Sequence, residues 1–184
     1  IQEAIQTTDY GIDLLPANIE LAGAEVELVA AISRETRLKR AIDKIKDQYD
    51  YILIDCPPSL GLLTLNSLAA ADTLLMPIQC EFYALEGVSQ LMNTMELVQN
   101  NLNPRLDIEG VLLTMYDSRT RLSEQVADEV RSHFGDAVYK TMIPRTVRLS
   151  EAPSYGQPIL AYDGKSKGAE VYMKLAKEVI ARGK

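Results

Sequence analysis

Tryptophan is absent from this chain, histidine occurs once and cysteine twice. Cys56 and Cys80 have no C-x-x-C spacing and both lie in apolar stretches, which excludes a disulfide framework and a cysteine zinc site and fits a reducing cytoplasm. His133 has no Cys, Asp or second His at ligand spacing, so no histidine-based triad or metal cluster can be assembled around it. It reads instead as a surface residue favoured by the dipole at the end of a helix. No run approaches the roughly 18 apolar residues of a membrane span, and Ile1-Gln2-Glu3-Ala4-Ile5 lacks the basic region of a signal peptide. The chain does not open on Met, the mark of a processed or truncated product.

A cationic excess is missing too. Lys and Arg number 19 against 26 Asp and Glu, a net charge of -7, which excludes a general polyanion binder. The deficit is uneven: residues 1–104 carry 6 cations and 15 anions, residues 105–184 carry 13 and 11. Any nucleic-acid contact is therefore a local patch in the carboxyl half.

Phosphate-binding loops are the last absence. Gly164-Lys165-Ser166 has Ile159 where G-x-x-x-x-G-K-S/T needs its first glycine, and it follows Asp163 rather than a buried strand. It reads as a turn and helix cap. Neither G-x-G-x-x-G nor a serine nucleophile elbow occurs.

What is present is ordinary globular material, 184 residues with 47% hydrophobic content, enough for one domain with a real core. Its organising stretch is Tyr49–Pro58. Tyr51-Ile52-Leu53-Ile54 is an unbroken apolar run, which predicts a strand buried on both faces of a parallel sheet. Asp55 ends it, and Pro57-Pro58 keeps the chain from continuing in a ladder. An acid at that point sits where open α/β sheets bind ligands, a turn or helix-capping aspartate being the alternative.

Around this stretch helical and strand patterns alternate. A short strand over 11–18 precedes helices over 19–32 and 33–49, the second with Leu38, Ile42, Ile45 and Tyr49 as its apolar stripe. A small-residue helix covers 61–71, a strand 72–77, a long helix 84–102 and a third strand 108–114. Leu122, Val126, Val130 and Phe134 define a further helix capped by Gly135, then an edge strand at 139–143, a loop over 144–155 and a closing helix over 166–182. Repeated strand-helix units predict an α/β fold with a doubly wound, mostly parallel sheet.

Five blocks in order carry a resemblance. They are Tyr51–Gly61, Pro77–Gly87, Leu113–Thr120, Ile143–Gly156 and Gly168–Tyr172. Together they resemble the ParA/Soj chromosome and plasmid partition ATPases of the deviant-Walker MinD/ParA superfamily, over essentially the whole chain. The resemblance implies a three-layer P-loop NTPase sheet missing its N-terminal strands, with residues 1–184 as one domain, the C-terminal two-thirds of a ParA-type ATPase. It implies an ATP- and Mg2+-dependent, cytoplasmic and nucleoid-associated bacterial protein with no membrane contact. That protein forms a nucleotide-dependent homodimer, binds DNA nonspecifically and works with a ParB/Spo0J-type partner.

Carried onto this sequence, Asp55 is the Walker B acid that holds Mg2+ through a water, with Pro57, Thr114, Met115, Asp117, Pro144 and Arg145 beside the nucleotide. Arg119 falls on a DNA-contacting arginine, and Arg121, Arg148, Lys165, Lys167 and Lys177 are the other DNA candidates. Gln79, Glu81, Tyr83, Glu86 and Gly87 correspond to a switch and partner segment. The family's phosphate loop, with both its lysines and the catalytic aspartate, is not among these 184 residues. No catalytic residue is therefore assigned here, and the chain alone is expected neither to bind ATP tightly nor to hydrolyse it. An exposed sheet edge, with non-native dimers or low stability, is the further expectation. Two alternatives stand beside this reading. One is a MinD-like division-site ATPase; the other is a non-catalytic DNA- or partner-binding module that has lost its phosphate loop.

Overall fold

In a computed structural model the residues described are 1–57, 59–82 and 84–183, the side chains of 84–86 excepted. The chain sorts into two compact units, Ile1–Asp72 with Leu91–Leu106, and Thr73–Gln90 with Asp107–Lys184.

The first unit opens on a two-residue antiparallel pair, β1 (Gln6–Thr7) and β2 (Asp13–Leu14), a shorter strand than the sequence predicts. The helix expected over 19–32 begins as a 3-10 turn and becomes α1 only over Ala24–Val29. The next one is likewise reduced to α2 (Arg37–Ile42) between two 3-10 turns. Ser33, where the sequence predicts this helix to begin, lies in the left-handed region at φ 53°, which interrupts regular helix there.

α3 (Leu62–Ala70) is the packed helix of this unit, with Leu68 and Ala69 buried. Its N-terminus is capped from a distance. The Glu25 carboxylate accepts hydrogen bonds from the Leu62 and Leu63 amides at 2.9 and 3.1 Å, satisfying two orphan N–H groups. A side chain at Gly61 would stand 2.5 Å from Glu25 Oε1, so this approach requires glycine. Buried Asn66 donates to the carbonyls of Arg34 and Leu62 and accepts from the Leu38 amide, tying α3 to the segment before it.

The predicted strand at Tyr51–Ile54 is not formed. Residues 51–57 have no regular structure, Leu53 is 92% exposed, and Cys56, expected in apolar surroundings, is exposed. The physical reason is pairing: a run buried on both faces needs ladder partners, and among the described residues it has none.

The second unit holds the parallel ladder. β3 (Thr73–Gln79) leads into α4 (Ala84–Asn101), and β4 (Asp107–Thr114) returns parallel to β3, a βαβ connection. The register slips between Leu74 and Leu75, where Ile108 and Gly110 are the successive partners and Glu109 is the extra residue of a bulge. α5 (Arg121–Phe134) follows, capped at its end by Gly135 at φ 53°, with His133 exposed in its last turn as expected.

The edge strand expected at 139–143 is replaced by two isolated parallel bridges, Val111 with Val138 and Tyr116 with Pro144. Tyr139 N–H donates to Val111 and Ile143 N–H to Leu113, so four positions of this segment are spread against two of β4. The ladder cannot keep register across that surplus. The amides of Lys140 and Thr141 turn instead to the Glu178 carboxylate at 2.7 and 2.9 Å. α6 (Val147–Glu151), α7 (Ile159–Tyr162) and α8 (Lys167–Arg182) close the chain. Leu112, Tyr139, Ile143, Val171 and Leu175 form the core here, with Leu75, Leu149 and Val179 packed against it.

Candidate functional site

A cavity of about 520 Å³ lies in the second unit, where the loop leaving β4 meets the loop entering α6. Tyr116, Asp117, Ser118 and Arg119 line one side, Pro144, Arg145, Thr146 and Val147 the other. The backbone holds the two together: Tyr116 N–H donates to Ile143, and Arg145 N–H donates to Tyr116, both at 3.1 Å. Met115, at φ 54°, makes the sharp departure from β4 that starts the first loop. The far end of that loop is pinned by Ser123, 4% exposed, whose hydroxyl donates to the Cys80 carbonyl at 3.2 Å. Thr120 caps α5, its Oγ1 accepting from the Ser123 amide, and Thr146 caps α6 in the same way through Leu149.

Two ion pairs dominate the rim. Arg119 grips Asp117 with two parallel bonds, Nε to Oδ1 at 2.9 Å and Nη2 to Oδ2 at 2.7 Å. Its own amide donates to Oδ1 as well, at 3.0 Å. The guanidinium beside Asp117 holds that carboxyl down at about 2. The Arg145 guanidinium bonds the Glu81 carboxylate. The cavity thus presents two arginines, each already joined to an acid.

Of the residues assigned to the nucleotide, Asp117, Pro144 and Arg145 line this cavity. Thr114 ends β4, its hydroxyl donating to the Ile78 carbonyl at 3.3 Å, and Met115 leads into the lining loop. Asp55 and Pro57 are exposed residues of the other unit, and among the described residues no cluster of three or more His, Cys, Asp or Glu side chains stands ready for a metal. Tyr116 lies within the Thr114–Asp117 stretch that the resemblance sets beside the nucleotide, whereas Ser118, Thr146 and Val147 are added by the structure; the loop-to-loop bridge that makes them neighbours leaves no trace in spacing.

The DNA candidates are dispersed. Arg119 lines the cavity rim and its side chain is 87% exposed. Arg148 pairs with Glu151 at 3.0 Å and Asp163 at 3.4 Å, and Lys167 with Glu170 at 3.0 Å. Arg121, Lys165 and Lys177 are exposed and form no ion pair with another described residue. In the switch segment Gln79 ends β3, Glu81 reaches Arg145 and Gly87 is exposed on α4. Tyr83 and the Glu86 side chain lie outside the described residues.

Residues 1–108 match the family described as AAA domain. The sporulation initiation inhibitor protein Soj of Bacillus subtilis is 64% identical over 177 residues, covering 96% of this chain and 70% of that protein. The chromosome partitioning protein ParA of Caulobacter vibrioides is 54% identical over 184 residues, covering 99% of this chain and 69% of that one. Among solved structures, a cobyrinic acid a,c-diamide synthase from Mycobacterium smegmatis with bound ADP and magnesium superposes with a TM-score of 0.81 at 42% identity. That match covers 97% of this chain and 66% of that one.

Proposed function

Because the chain belongs to the ParA/Soj chromosome-partitioning family of P-loop ATPases, we propose that its cavity between the Tyr116–Arg119 and Pro144–Val147 loops takes the base end of ATP. The observation that carries this reading is the meeting of two motif blocks far apart in sequence around one cavity of about 520 Å³, room enough for a nucleoside. Asp117 and Arg145 supply an acceptor and a donor at its rim. The phosphate end is a different matter, since these 184 residues contain no glycine-lysine loop. Asp55 offers one hard oxygen ligand suited to Mg2+ through a water, and one carboxylate alone makes a weak magnesium site. When bound, Mg-ATP supplies the phosphoryl group transferred to water and the charge that orders switch segments. Residues 1–184 then act as one domain, about 70% of the length of the Soj relative.

In this reading the protein is a bacterial, cytoplasmic, nucleoid-associated partition ATPase. It dimerises with nucleotide, binds DNA without sequence preference and responds to a ParB/Spo0J-type partner through Gln79–Gly87. Arg119, Arg121, Arg148, Lys165, Lys167 and Lys177 neutralise DNA phosphates, with an affinity that falls as salt rises. Gel retardation of a random duplex tests it: Arg119→Ala is expected to abolish retention. An unchanged shift refutes the assignment of Arg119.

A further inference from the structure

Arg119 presents a contradiction between exposure and availability. Its side chain is 87% exposed, as a phosphate-seeking cation should be, yet the Nε–Nη2 edge of its guanidinium is engaged by the Asp117 carboxylate. Asp117 is the more sheltered partner, with 22% of its side chain exposed, and it is further anchored by the Arg119 amide and by Ser123 Oγ on its own amide. The acid is thus fixed by the loop and the base is held by the acid.

From this geometry we infer that Asp117 is a latch on Arg119: it keeps the guanidinium bonded to the cavity rim, and the arginine offers its Nε–Nη2 fork to a DNA phosphate only by exchanging one bidentate oxyanion partner for another. The inference rests on the reading of Arg119 as a DNA-binding residue. Three features fit an exchange rather than a permanent structural pair. A guanidinium fork matches phosphate oxygens as well as carboxylate oxygens. An exposed ion pair of this kind holds only weakly, so a polyanion can displace it. Asp117 also lines the cavity, so a group entering there meets the same carboxylate that restrains Arg119. Whatever draws Asp117 toward the cavity frees the arginine. Arg145, the other arginine of the rim, is bonded instead to Glu81.

The test is a double-mutant cycle read by fluorescence anisotropy of a labelled random duplex, at low salt and without nucleotide. Asp117→Asn keeps the acceptor for the Arg119 amide and removes the charge and one strong bond. It is expected to tighten DNA binding about two- to fivefold, the scale of an exposed charge pair, and Arg119→Ala in the same background is expected to erase that gain. Arg119→Lys, which keeps the charge but cannot grip both oxygens, is expected to bind DNA at least as well as the parent; it serves if the Asp117 variant fails to fold. Unchanged affinity in Asp117→Asn overturns the latch. So does a gain that survives in the double variant, since the effect is then only one less negative charge near DNA. Arg119→Ala tested alone against the parent judges the underlying assignment separately.

Discussion

Tyr51–Ile54 and Val111–Leu113 are the same kind of sequence, an apolar run without alternation, and they end in opposite states. Leu53 is 92% exposed, while Val111 and Leu113 are completely buried. The difference is in the neighbours. β4 is laddered to β3 on one side and met on the other by Val138, which bridges Val111, and by Ile143, whose amide donates to Leu113, whereas 51–57 makes no ladder among the described residues. An apolar run states that a segment can be buried on both faces; only a partner on each edge makes it so. The same contrast separates two acids that follow such runs. Asp117 is built into a rim by Arg119, and Asp55 stands exposed.

The most severe way to sharpen this comparison is to truncate both runs. Leu113→Ala is expected to cost about 2–5 kcal/mol by chemical denaturation, the range for a buried leucine, while Leu53→Ala stays within about 0.5 kcal/mol. Equal losses would break the comparison by showing that the 51–54 run is covered in solution. Gly110→Ala comes next. Its new Cβ would stand 2.5 Å from the Tyr139 ring and 3.1 Å from the Ala137 carbonyl. Such overpacking costs about 1–3 kcal/mol, measured as a lowered denaturation midpoint at unchanged slope. Glu25→Ala leaves the Leu62 and Leu63 amides without their cap, an expected loss of about 1 kcal/mol in the same assay.

The smallest effect concerns pH. Asp117 titrates at about 2 in the folded protein against an ordinary 3.8. A depressed carboxyl contributes stability that is complete above the unfolded value and fades as the pH falls from about 3.8 toward 2. Asp117→Asn should therefore flatten the acid limb of the stability curve in that window and leave neutral pH nearly untouched. An unaltered limb would contradict a depressed carboxyl at Asp117 in the folded protein.

How far the sequence reached follows the same line. β3, α4, β4, α5 and α8 were legible because period, caps and length agreed, as in the Leu122, Val126, Val130 and Phe134 stripe of α5 and Gly135 after it. The segment at 139–143 was not, since nothing local announces that Glu178, far along the chain, will take two of its amides. Asp117 and Arg145 could be placed by resemblance. The bidentate grip of Asp117 on Arg119 could not, because it depends on a loop shape set by the positive φ of Met115 and by Ser123. Nor did the long-range cap from Glu25 to α3 show in any spacing; only Gly61, just before that helix, hinted at a close approach.

The central claim is that these residues carry the base end of a nucleotide site without its phosphate cradle. Isothermal titration with adenosine and with Mg-ATP, side by side on the same preparation, tests it most directly. Both are expected to bind weakly, with Kd values of roughly millimolar order and within a few-fold of each other, because the phosphates find no loop to hold them. Micromolar binding of Mg-ATP, far tighter than adenosine, would contradict the account.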